Sequence, residues 1–121
     1  EMCLENGKPL VLEFSTTWCP HCQWIKDAYQ EVVNEYSDDI SAYQWDMDVK
    51  DDALTEEKEL IVPAEYFEIY DYYNPEGSVP TFVFGCKYLR IGNGYEAQGN
   101  LDAEKQEFRE IIEELIELNK V

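Results

Sequence analysis

The sequence predicts an α/β fold: a mixed, four-stranded central sheet flanked by helices on both faces. Three observations predict it. A short apolar run, Leu10-Val11-Leu12-Glu13-Phe14, hands over within a few residues to a helical repeat. The elements follow in the order strand, helix, strand, helix, strand, strand, helix. A strand–helix–strand unit closed by a hairpin and a last helix needs a sheet covered on both sides to bury its apolar residues.

Each element has its own signal. The first strand is entered through the turn-like Asn6-Gly7-Lys8-Pro9 and carries one oddity, the carboxylate of Glu13 inside an apolar run. From Pro20 to Tyr36, the residues Ile25, Ala28, Tyr29, Val32, Val33 and Tyr36 follow helical spacing. Pro20 suits the first helical position, where its missing N–H costs nothing, and Cys19 is then the N-cap. Ser37-Asp38-Asp39 ends this helix and Ile40–Met47 reads as the second strand.

Residues 48–78 are predicted to form an extended helical connection. Asp51 or Asp52 caps a short acidic helix running to Leu60, and Pro63 opens a second helix to Tyr73. Tyr66, Ile69, Tyr70 and Tyr73 form a stripe on that helix, predicted to face the core. Thr81–Gly85 and Lys87–Ile91 read as a hairpin turning at Cys86. Asp102 caps a final helix whose Phe108, Ile111, Ile112, Leu115 and Ile116 mark one face, with its glutamates on the wet side.

The 121 residues read as a single domain, 1–121, long enough to bury a core without metal or disulfides. Apolar runs such as Val79–Phe84 are far shorter than the roughly 20 residues that span a bilayer. The N-terminus carries no basic-then-apolar leader, and with Glu1 at its head this says nothing about export. A net charge of −18 makes nucleic acid and anionic membranes poor partners, since phosphate attraction becomes repulsion. The acid concentrates between Asp38 and Glu76, 13 carboxylates against Lys50 and Lys58. A solvated surface is its plain reading.

Chemistry concentrates at the junction of the first strand and helix, Trp18-Cys19-Pro20-His21-Cys22. As N-cap, Cys19 faces unpaired backbone N–H groups and the positive end of the helix dipole. Both favour the thiolate, the species that attacks and leaves in disulfide exchange. His21, the single histidine, adds a hydrogen-bonding or cationic group beside it. Three-residue spacing lets Cys22 meet Cys19 as a disulfide, with Cys22 the more shielded, resolving thiol. Two other readings of the same residues stand beside redox exchange. Cys19, His21 and Cys22 could join a remote cysteine around zinc, or the pair could be a purely structural disulfide.

Val11-Leu12-Glu13-Phe14, then Trp18-Cys19-Pro20-His21-Cys22, then Val79-Pro80-Thr81-Phe82, resembles the thioredoxin superfamily in content, order and distance. The likeness runs from about Pro9 to Leu118, and the Cys-Pro-His-Cys tetrapeptide is similar to that of the disulfide-forming oxidase DsbA. The resemblance implies a cis Val79–Pro80 bond packed against the cysteines, exposing the Val79 backbone to substrate; an ordinary trans proline opening a strand is the alternative. It makes Glu13 the buried acid beneath the pair, with a raised pKa and a proton to exchange with Cys22; a solvated edge glutamate is the alternative. Trp18 matches the tryptophan before the first cysteine and either shapes the docking surface or merely packs. Gln44 stands where thioredoxin usually has a lysine paired with the buried acid, so the proton relay is expected to differ. Residues 48–78 are longer than thioredoxin's connection yet too short for the inserted helical domain of DsbA.

In the implied fold, Cys3 and Cys86 both fall at the end of the sheet away from Cys19. A structural disulfide between them is expected, against two free thiols. Such a bridge favours an extracytoplasmic compartment over the cytoplasm. The expected function is thiol–disulfide oxidoreductase, in either direction, through Cys19 as nucleophile and Cys22 as resolving thiol. Its catalytic set is Cys19, Cys22, His21 and Glu13, and its substrate-binding set is Trp18, Val79 and Pro80. The redox-active disulfide serves in place of a cofactor, and no metal is expected. Partners are protein thiols or disulfides and a separate redox partner, with the chain a monomer. A non-enzymatic metal carrier or adaptor is the rival.

Overall fold

A computed structural model describes residues 1–120. Its sheet is built on β2 (Lys8–Ser15), β3 (Ser41–Asp46), β5 (Thr81–Phe84) and β6 (Tyr88–Ile91), with two-residue strands β1 (Leu4–Glu5) and β4 (Asp51–Asp52) attached. The order is β4-β3-β2-β5-β6, and β1 pairs with the start of β2. β2 runs parallel to β3 and antiparallel to β5, which makes the sheet mixed as its sequence order implied. The helices are α1 (Pro20–Glu35), α2 (Ala64–Tyr73) and α3 (Leu101–Asn119).

β2 lies at the centre, buried on both faces, and its alternation divides the core. Val11, with Phe82 and Phe84 of β5, packs against Tyr29 and Val32 of α1 and Phe108 and Ile112 of α3. Leu10, Leu12 and Phe14 face the other way, onto Tyr66 and Tyr70 of α2. The tyrosine stripe on α2 therefore does face the core, Phe14 and Tyr70 lying 4.7 Å apart between ring centroids. By the same alternation Glu13 and Ser15 share the α1 face with Val11.

Three boundaries differ from expectation. The acidic helix from Asp51 to Leu60 does not form. The Asp52 side chain instead accepts from the backbone N–H of Gln44 at 2.9 Å and of Leu54 at 3.2 Å, tying the segment to β3. Leu60 and Ile61 are exposed, so the segment had no apolar face to bury as a helix. Only Ala64–Tyr73 of the connection is helical. The cap of α3 is Asn100 rather than Asp102, accepting from the Ala103 N–H at 3.0 Å. Finally, Glu104 is not on the wet side of α3 but fully buried. It meets Arg90 of β6 at 2.7 Å, and the guanidinium lies 4.6 Å from the Phe108 ring centroid.

The far end of the sheet is closed by two turns. Asn6 and Gly7, at φ 56° and 78°, turn β1 into β2 in the left-handed region that Asn-Gly tolerates. Cys3 N–H donates to the Gly85 carbonyl at 2.9 Å, and the Cys3–Cys86 disulfide ties the residue before β1 to the β5–β6 turn, with Cα atoms 5.4 Å apart. Gly85 is required there. Its φ is +61°, and a Cβ would stand 3.0 Å from Leu115.

Candidate functional site

Cys19 is the N-cap of α1, in extended backbone, with Pro20 opening the helix. Its Sγ accepts the Cys22 backbone N–H at 3.3 Å, so one of the unpaired donors of the helix start is aimed at the sulfur. Such a donor stabilises a thiolate more than a thiol. On its other side, Cys19 Sγ stands 3.9 Å from the Val79 carbonyl oxygen. The Val79–Pro80 bond is cis. Both cysteines are buried, at 4% and 2% exposure, so Cys22 is barely more shielded than Cys19.

The loop before the helix is pinned from two sides. Thr17 N–H donates to Asp48 at 3.1 Å, and Gln23 Nε2 donates to the Thr17 carbonyl at 2.8 Å. Trp18 is left 68% exposed, which assigns it to the surface rather than the packing. The loop carrying Val79 and Pro80 is held by a residue that sequence reasoning missed. Asn74, buried at the end of α2, donates to the Ser78 carbonyl at 3.1 Å and to Thr81 Oγ1 at 2.8 Å. No local pattern in the sequence marks an asparagine whose partners lie on the next loop. A cavity of about 540 Å³ opens beside Cys19, lined by Trp18, Met47, Phe67, Tyr70 and Val79.

His21 faces outward, its Nδ1 2.9 Å from Glu96. Asn93 reaches both, donating to the His21 carbonyl at 3.0 Å and to Glu96 at 2.8 Å. The loop 92–98 in turn hangs on the buried Glu104, which accepts from Tyr95 N–H at 3.1 Å. Arg90 and Glu104 therefore anchor the loop that orients the histidine. The signal was available, since Glu104 lies four residues before Phe108 on the apolar face of α3.

Glu13 is fully buried on the α1 face of β2. Its Oε1 accepts from Gln44 Nε2 at 2.7 Å while its Oε2 has no partner. Gln44 is itself fixed, accepting from Gln30 Nε2 at 2.7 Å. A neutral amide offsets little of the burial penalty, so desolvation pushes the Glu13 pKa up to about 8. Burial, and then the neighbouring Cys19, push the Cys22 thiol up to about 12. A thiol that weakly acidic attacks only once something removes its proton.

Cys3 and Cys86 stand at the opposite end of the sheet, bonded to each other, and are not brought to Cys19. Among the described residues no cluster of three His, Cys, Asp or Glu side chains can hold one metal ion. Among these residues His21, turned to Glu96, and the bonded Cys3 and Cys86 do not join Cys19 and Cys22 in the zinc set that the sequence allowed.

A Cys-x-x-Cys pair at the end of a strand that carries a buried acid, and beside a cis-proline loop, defines a dithiol protein built on a mixed sheet. Comparison with known proteins narrows the class. The thioredoxin family model matches residues 1–68, and the chain belongs to that family. A thioredoxin from the sponge Geodia cydonium is 35% identical over 81 residues, 67% of this chain and 71% of that protein. Thioredoxin H3 of Arabidopsis thaliana is 28% identical over 80 residues, 66% of this chain, which spans about half (52%) of that protein. Among solved structures, the germline-specific thioredoxin Deadhead of Drosophila melanogaster has the same fold. Its TM-score is 0.51 at 22% identity, covering 81% of both chains.

Proposed function

We propose that the protein is a thiol–disulfide oxidoreductase acting on protein thiols or disulfides. One observation carries the reading: the Cys19 sulfur sits at the helix start, under the Cys22 N–H and against the Val79 carbonyl, at the edge of an apolar cavity. In the reducing direction the Cys19 thiolate attacks a substrate disulfide and Cys22 resolves the mixed disulfide. In the oxidising direction a substrate thiolate attacks Cys19 of the Cys19–Cys22 disulfide, and a second substrate thiol releases the product.

An extended substrate segment lies beside Val79 and Pro80 with Trp18 at its edge, and His21 stabilises charge at Cys19. Glu13 exchanges a proton with Cys22. The Cys-Pro-His-Cys sequence, similar to that of DsbA, favours the oxidising direction, whereas Trp18 is the residue of reductases; the potential of the couple against glutathione decides between them. The Cys3–Cys86 bridge supports an extracytoplasmic setting.

The test is reduction of insulin by dithiothreitol, followed by turbidity. The protein accelerates it, Cys19→Ser abolishes the acceleration, and Cys22→Ser accumulates a mixed disulfide on Cys19. A protein that leaves the rate unchanged and instead carries stoichiometric zinc at the pair is a metal carrier, and the proposal fails.

A further inference from the structure

Glu13 can trade a proton with the resolving thiol, but the cycle also needs a path between that buried, weakly acidic thiol and water. Glu13 is sealed from solvent, and among the described residues its carboxylate is hydrogen-bonded only to the Gln44 side chain. A second acid lies closer to water. Beside Cys22 a smaller cavity, of about 250 Å³, is lined by Cys22, Ser15, Lys26 and Asp46. Ser15 and Asp46 are the last residues of β2 and β3 and stand side by side in the parallel register. Ser15 follows Glu13 on the same face of β2 and lines this cavity together with Cys22.

We propose that Ser15 and Asp46 form the proton port of Cys22, the Ser15 hydroxyl relaying the thiol proton to the Asp46 carboxylate through this cavity. The inference rests on the oxidoreductase reading and adds to it the residues that fire the second step. As Cys22 loses its proton to Ser15 Oγ, Ser15 passes its own to Asp46. The Cys22 thiolate then attacks Cys19 Sγ of the mixed disulfide. The Cys19–Cys22 bond forms as the Cys19–substrate bond breaks, and the electron pair leaves on the substrate sulfur. That sulfur takes up a proton from solvent, and Asp46 releases its own into the cavity. Run backwards, the same port delivers a proton to Cys22 when substrate thiols open the disulfide.

The surroundings of the port are consistent with it. The Ser15 hydroxyl, which donates to the Thr16 carbonyl at 3.5 Å, and the Thr16 backbone lower the Cys22 pKa against the burial and the Cys19 neighbour that raise it. Burial raises the Asp46 pKa above the ordinary aspartate range, with Lys26 and the neighbouring Ser15 holding it down. The groups facing Asp46 are Lys26 from α1, which favours its ionised form, and Asp48 and Asp51 from its own side, which oppose it. Glu13 feels Asp46 and Lys26 as well. Lys26 thus brings from α1 a positive charge that the β3 position of Gln44 lacks. An acid part-desolvated and lining a cavity takes up a proton more readily than an ordinary aspartate and can pass it on to water.

The test isolates the resolving step. The reduced protein is mixed with oxidised glutathione, quenched with acid at millisecond intervals, and weighed by mass spectrometry to follow the Cys19–glutathione adduct and the Cys19–Cys22 disulfide. Positioned proton transfer is commonly worth about 10²–10⁴-fold, so Ser15→Ala and Asp46→Asn are each expected to slow adduct decay by about tenfold or more at pH 7. The deficit shrinks towards pH 10 as hydroxide takes over, and Ser15→Thr and Asp46→Glu recover most of the rate. Adduct decay at the wild-type rate in both Ser15→Ala and Asp46→Asn overturns the port. So does a slowing that is equal at every pH and not rescued by the conservative variants, since that marks a structural role. A wild-type protein that forms no adduct on Cys19 at all overturns the oxidoreductase reading itself, and the port with it.

Discussion

Replacing Glu13 with glutamine should make the protein's stability less sensitive to alkali, and the size of the effect follows from the site. In the unfolded chain this carboxyl loses its proton near pH 4.5; in the fold, desolvation delays the loss to about pH 8. Between those values the folded state holds a proton that the unfolded state has given up. The unfolded state binds fewer protons, so stability falls as pH rises through this window and levels off above it. The slope from this one group is about 1.4 kcal/mol per pH unit, and the whole window amounts to about 5 kcal/mol. That is a large part of the 5–15 kcal/mol or so that stabilises a typical domain.

Glutamine does not titrate. Its Oε1 can still accept from Gln44, but an amide nitrogen then takes the place of the unpartnered Oε2, at a cost of about 1–3 kcal/mol for an unmet donor. That cost is the same at every pH. The measurement is therefore a difference of curves: urea midpoints for wild type and Glu13→Gln, both fully reduced, from pH 4 to 9. The variant should start equal or less stable at pH 4.5 and overtake the wild type as pH rises, the gap widening until about pH 8. The other carboxylates titrate in both proteins and cancel. Parallel curves would mean that Glu13 ionises in the fold as it does in water, and the argument for a desolvated acid on the α1 face of β2 would be refuted.

Two further outcomes test the parts of the fold that support the site. Arg90→Met strips the buried Glu104 of its 2.7 Å partner, and removing one member of a buried pair typically costs about 3–5 kcal/mol; thermal melts should show the loss, and a variant within 1 °C of wild type would rule the pair unimportant. Cys3→Ser together with Cys86→Ser opens a loop of sequence separation 83, worth about 4–5 kcal/mol in the chain-entropy model. Guanidinium unfolding should register that loss while the Cys19–Cys22 potential stays within about 10 mV of wild type, because the bridge lies at the opposite end of the sheet; a shifted potential would contradict that separation.

What could be read from the sequence, and what could not, divides along the range of the forces involved. Cys19, Pro20 and Cys22 were legible because a helix start imposes its own chemistry within one turn: cap, first-turn proline and sulfur obey local rules. Glu13 was legible because a carboxylate in an apolar run is a local anomaly. Its partner was only half legible: Gln44 could be seen to be no lysine, but not that Lys26, on the following helix, would bring a positive charge to the same polar cluster. Ser15 carried a weak signal, as the third polar or core position in the alternation Val11, Glu13, Ser15, yet nothing in β2 says that Asp46 will lie beside it. The acidic stretch after Asp51 misled for the converse reason. Capping logic favours a helix there, but the Asp52 carboxylate is committed to backbone N–H groups of β3 and its own turn, and Leu60 and Ile61 offer no face to bury. Glu104 shows the same competition resolved the other way. Its helical position is apolar, and a charge is tolerated there because Arg90 arrives from a strand that is mostly exposed. In each of these cases local sequence fixes what a residue can do, whereas its partner comes from a neighbouring strand or helix. For this protein the practical consequence is that the proton chemistry of Cys22 must be sought on β2, β3 and α1 together, not in the four residues of the motif.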